Sequence, residues 1–111
     1  PLYYGSVRFE ANKVTADSLF FQTMGIDVLS GVPEKELMQK DVVFLSDRLA
    51  RKMFDQENPI GKVISYNKEI ELTVKGTYAD IPKMLPSDRM QYFFAYRMEP
   101  WMGKLLLERR R

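Results

Sequence analysis

Cysteine and histidine are both absent from these 111 residues, and tryptophan occurs once. Without Cys there is no disulfide, no thiolate nucleophile and no Cys-ligated zinc. Without His the chain lacks the usual metal ligand, the commonest general base and every His-dependent triad. Long apolar runs are missing too. The longest, residues 92–96, falls far short of the ~20 residues a helix needs to cross a bilayer. Nothing near Pro1 pairs a basic start with an apolar stretch of roughly 7–15 residues, so no signal peptide is expected and location is not legible from targeting.

What is present describes an ordinary folded chain. An apolar fraction of 45% and a charged fraction of 29% argue against disorder, and the length suits a single hydrophobic core. Lys and Arg number 17 against 15 acidic residues, but Arg109, Arg110 and Arg111 supply the whole excess. A nucleic-acid binder spreads its basic residues over a face of the fold, so none is expected as a partner. The chain divides into a domain over residues 1–97 and a C-terminal segment, residues 98–111, ending in that basic tail.

Periodicity gives the elements. Val7, Phe9 and Ala11 alternate until Lys13 breaks phase before Val14, which predicts a strand over residues 7–14 with one buried face. Thr15 is placed to cap a two-turn helix, with Asp17 in its first turn, Leu19, Phe20 and Met24 on one side, an aromatic face to pack, and Gly25 as its left-handed terminator. Ile26, Val28 and Leu29 make a short strand closed by Ser30 and Gly31. Residues 32–40 form a surface loop with one helical turn. The unbroken run Val42, Val43, Phe44, Leu45 predicts a strand covered on both faces.

Ser46 then caps a helix whose inward face is Leu49, Ala50, Met53 and Phe54, with Arg48, Arg51 and Lys52 outward. Pro59 and Gly61 build a turn. Residues 63–66 and 70–76 form a hairpin around Asn67, Lys68 and Glu69, and Gly76 belongs with Pro59 and Gly61 among the glycine and proline positions assigned a structural turn. A Pro-containing loop over residues 80–88 precedes a final aromatic strand, residues 90–96. The Trp101, Met102, Leu105, Leu106 stripe follows. The sum is an α+β fold, a small mixed or antiparallel sheet with two short helices packed on it.

No constellation carries chemistry. Glu69 and Glu71 share one strand face, but alternation with Ile70 and Leu72 sends it to solvent. Asp55 and Glu57 lie in a turn and offer too few oxygens for calcium. Asn58 to Lys62 lacks the second glycine of a phosphate loop and precedes a strand, not a helix. No catalytic residue, cofactor or metal site is expected. The aromatic strand is different: Tyr92, Phe94 and Tyr96, together with Trp101, form a candidate contact surface, and a homodimer through it is one expected use.

Four blocks, in order, resemble the periplasmic core domain of MacB-type ABC-transporter permeases. They are Val14 to Gly25 with Gly31; Leu45, Ser46, Asp47, Ala50 and Phe54; Pro59 to Lys62; and Val74, Gly76, Asp80 and Pro82. The resemblance spans residues from about 6 to 97. It implies a domain inserted between membrane helices of a parent permease, displayed in the periplasm or outside the cell. There it would contact a partner protein or an exported substrate and transmit conformational change, without catalysis. Family domains are usually longer, with a second subdomain. Two other functions stay open on the residues alone: a free-standing soluble interaction domain of the same fold, and a small carboxylate-based hydrolase.

Overall fold

The computed structural model describes residues 1–17, 19–80 and 93–97. Among these, one mixed sheet of eight strands dominates. In chain order its strands are β1 (Leu2–Tyr4), β2 (Val7–Phe9), β3 (Asn12–Ala16), β4 (Val28–Ser30), β5 (Val42–Ser46), β6 (Val63–Tyr66), β7 (Ile70–Tyr78) and β8 (Phe93–Arg97). Three short helices complete it: α1 (Phe20–Met24), α2 (Pro33–Glu36) and α3 (Asp47–Phe54). The α+β class holds, with the expected helical turn in residues 32–40 realised as α2.

The strands run β2-β1-β6-β7-β5-β8-β3 across the sheet, with β4 attached to β7. Pairing is antiparallel except for β5 with β7 and β3 with β8. This order corrects the single strand expected over residues 7–14. The segment is two strands on opposite ends of the order, β2 on β1 and β3 on β8, and the change falls at Glu10 and Ala11, ahead of the phase break at Lys13. Only Glu10 and Ala11 separate them, a reach of about 10 Å even when fully extended. The two ends of the sheet must therefore meet, so the sheet curls almost into a ring. Lys13 Nζ, from one end, lies 5.6 Å from the ring centroid of Tyr66 in β6.

The inside of this curl is the main core. Leu2, Phe9, Val43, Leu45, Ile64, Leu72 and Val74 from the strands pack with Leu49, Ala50, Met53 and Phe54, the four residues expected on the inner face of α3. The helix starts where Ser46 Oγ accepts from Leu49 N–H at 3.3 Å, as its position predicted. Asp47 in the first turn and Arg51 one turn on form an ion pair at 3.1 Å. A second, smaller core on the other face of β5 holds Ala16, Phe21, Leu37, Val42, Phe44 and Tyr78. Strand β5 lies between the two, which is why all five of its residues are buried and its sequence is an unbroken apolar run.

Strand β7 is the spine. Its first half pairs with β6 and its last residues with β4, while β5 runs along its other edge. A register shift between Val74 and Gly76 lets one strand serve both partners, because an extra residue turns the following side chains to the opposite face. Leu72 and Val74 thus enter the main core, and Tyr78 the smaller one. Gly76 sits within β7 and not in a turn, a correction to its grouping with Pro59 and Gly61. The strand needs glycine there because a Cβ would stand 2.6 Å from two atoms of the Phe44 ring.

Helix α1 begins later than its sequence pattern indicated. Thr15 lies in β3, and no side chain caps the helix; Asp17 Oδ1 instead accepts from Leu19 N–H at 3.0 Å just before it. Gly25 does end it in left-handed geometry (φ 68°), and Ile26 N–H closes back on Phe21 O at 2.8 Å.

Candidate functional site

The candidate carboxylates are scattered over the surface. Glu69, Glu71, Asp55 and Glu57 are all exposed, and Glu57 is held 3.5 Å from Lys62 Nζ. Among the described residues no three acidic side chains converge as a metal site would require. Asp55 ends α3, its N–H donating to Arg51 O, and borders an open hollow with Arg51 and Gln56. One acidic and one basic side chain on an open surface provide no sequestered chemistry.

Among the described residues, the Tyr78 hydroxyl departs clearly from its ordinary behaviour. Burial, with the Asp80 carboxylate adding to it, pushes the Tyr78 hydroxyl far above the usual tyrosine value. This hydroxyl is buried and has no hydrogen-bond partner among the described residues. Its ring packs 5.0 Å from that of Phe21 in the smaller core. A phenol held neutral in an apolar cluster is a packing element and a poor base.

The surface carries a more informative feature. Leu19, Met24, Leu29, Val32 and Met38 are each more than half exposed, and all fall in the 19–38 stretch that covers the smaller core. Leu19 and Met24, which the sequence pattern groups with Phe20 on one side of the helix, are turned outward, and Phe21 is the buried aromatic residue. The signal that finds the true phase is the cap: with Gly25 and Ile26 closing on Phe21, Phe21 is the residue directed at the core. Val32 and Met38 carry no periodic signal at all.

The other expected sites fall as follows. Pro59 and Gly61 lie in the turn between α3 and β6, with Gly61 at φ 90° and its N–H on Val74 O at 2.8 Å. Phe94 and Tyr96 are in β8, which is hydrogen-bonded along both edges, to β5 and β3, so this strand presents no free edge. Tyr92, Trp101, the 101–106 stripe, the 80–88 loop beyond Asp80 and the basic tail lie outside the described residues. No helix among the described residues is long and apolar enough to cross a membrane.

A curled mixed sheet packed around one capped helix defines an α+β domain. The model of the MacB-like periplasmic core domain matches residues 1–101, and the chain belongs to that family. It is a periplasmic domain of an ABC-type permease. Two solved structures are similar to it. One is a domain of a putative permease protein from Porphyromonas gingivalis, 20% identical with a TM-score of 0.70, covering 89% of this chain and 46% of that one. The other is the periplasmic region of MacB from Actinobacillus actinomycetemcomitans, 23% identical, TM-score 0.70, covering 95% and 46%. The chain thus spans about half the length of these relatives. No curated protein matches it.

Proposed function

We propose that this domain is a non-catalytic relay: it contacts a partner protein or an exported substrate in the periplasm and passes conformational change to or from the membrane helices of its parent permease. The observation that carries this reading is the exposed apolar set Leu19, Met24, Leu29, Val32 and Met38, each more than half exposed. Exposed apolar side chains are the groups through which a domain can bury area against a partner. Tyr92, Phe94, Tyr96 and Trp101 belong to the same proposal as a second contact region and a route to a dimer.

The test is made in the parent permease. Leu29→Glu and Met38→Glu, both at exposed positions, should leave the domain's melting temperature near its original value and lower export several-fold. Full export with both substitutions overturns the contact reading. Nucleotide binding in the micromolar range, or a metal held by three or more side chains, overturns the non-catalytic one. For the dimer, sedimentation of the whole chain should depend on concentration and that of a chain cut after Arg97 should not; a strictly monomeric whole chain removes that part.

A further inference from the structure

We infer that β8 is a clasp that closes the curled sheet and opens as a unit with β3. The strand order makes the curl a ring with two unlike joints. At one, β2 and β3 are joined covalently through Glu10 and Ala11. At the other, β3 and β5 do not pair with each other, and β8 lies between them. All five residues of β8 find partners in β3, from Asn12↔Phe93 to Ala16↔Arg97, and its central three find partners in β5, as Val43↔Tyr96, Phe44↔Ala95 and Leu45↔Phe94. Strand β3 has no other sheet partner among the described strands.

Three consequences follow from this placement. Removing β8 strips β3 of its whole ladder and leaves the edge of β5 unpaired, so the two ladders open together. The remaining strands are unaffected in their pairing, because β1, β2, β4, β6 and β7 are bonded only to one another and to β5. Opening at this joint also uncovers the flank of the main core where Val43 and Leu45 of β5 lie. The clasp is the element through which a relay of the proposed kind would yield; this role rests on the relay reading, whereas the coupled opening does not.

Native-state hydrogen exchange on the full chain tests the coupled opening directly. In low denaturant the amides of β3 and β8 should exchange through one shared opening, with the same denaturant dependence. That opening should be faster than the one exposing the β6–β7 amides by roughly tenfold or more. Ala95→Pro, which removes an amide and crowds the ladder at the centre of β8, should then abolish protection in β3 and leave it in β6 and β7. If Ala95→Pro unfolds the domain, the comparison within the unaltered chain still decides. Protection in β3 that outlasts β8, or β3 and β8 amides opening only with β6 and β7, overturns the clasp. Export by the parent permease is not read here, so failure of the clasp and failure of the relay are separate results.

Discussion

The carboxylate of Asp80 accepts a hydrogen bond from the backbone N–H of Arg48 at 3.2 Å, across 32 positions of sequence. Arg48 is in the first turn of α3, where N–H groups have no partner within the helix. Ser46 satisfies one of these from the local side and Asp80, two residues past the end of β7, another. Two of the sequence blocks that carry the family resemblance, Leu45 to Phe54 and Val74 to Asp80, are therefore joined to each other. The bond pins the chain at the point where it leaves the sheet, and a carboxylate there also complements the helix dipole.

Replacing Asp80 by Ala should destabilise the domain by about 1 kcal/mol, the usual contribution of a helix cap. Asp80→Asn keeps an acceptor oxygen and should lose less. Chemical denaturation of the two variants beside the original chain measures the difference, and equal losses would assign the effect to charge and not to capping.

Gly76→Ala should be more damaging, because its methyl group meets the Phe44 ring inside the smaller core. Overpacking of this kind costs about 1–3 kcal/mol. Phe44→Leu made on the Gly76→Ala background should recover part of the loss, by emptying the space the methyl group requires. A double-mutant cycle by thermal melts reads this coupling; strict additivity would show that the two positions do not compete for space.

Gly61 provides the opposite kind of glycine. A Cβ there has nothing within 4 Å, yet φ is 90°, so any penalty comes from the backbone alone. Gly61→Val should destabilise by roughly 1–3 kcal/mol. Gly61→Asn, more tolerant of positive φ, should lose less. An unchanged melting temperature for the Val variant would contradict the role of this turn in setting α3 against β6.

Tyr78 predicts a response to alkali. Its hydroxyl titrates far above the ordinary value of about 10 because burial, then Asp80, disfavours the phenolate. The folded state therefore holds its proton more tightly than the unfolded state. Stability from this group is complete below the unfolded value and declines as pH rises past 10. Tyr78→Phe should be neutral or slightly stabilising at pH 7, since the hydroxyl has no partner among the described residues. It should also reduce the fall in stability above that point. Parallel declines in the two chains would remove Tyr78 as a cause.

The sequence alone determined the features whose causes lie within a few residues. Ser46 with Asp47 and the Leu49, Ala50, Met53, Phe54 spacing specified α3, its start and its buried side. Gly25 specified the end of α1, and the alternation from Ile70 to Val74 specified the hairpin strand. The unbroken Val42 to Leu45 run specified a strand with two covered faces. Caps, turns and periodicities act over one or two turns of chain, so they can be read locally. Tertiary structure alone decided what depends on partners distant in sequence. It split residues 7–16 between the two ends of the curl, because β1 and β8 each supply a ladder to one part. It inserted the last described strand between β3 and β5, turned Leu19 and Met24 outward once Phe21 met Phe44 and Tyr78, and made Gly76 a packing position beneath an aromatic ring. Each of these is a choice among strand edges or helix phases that are locally equivalent, and only contacts between remote side chains and ladders separate them in energy.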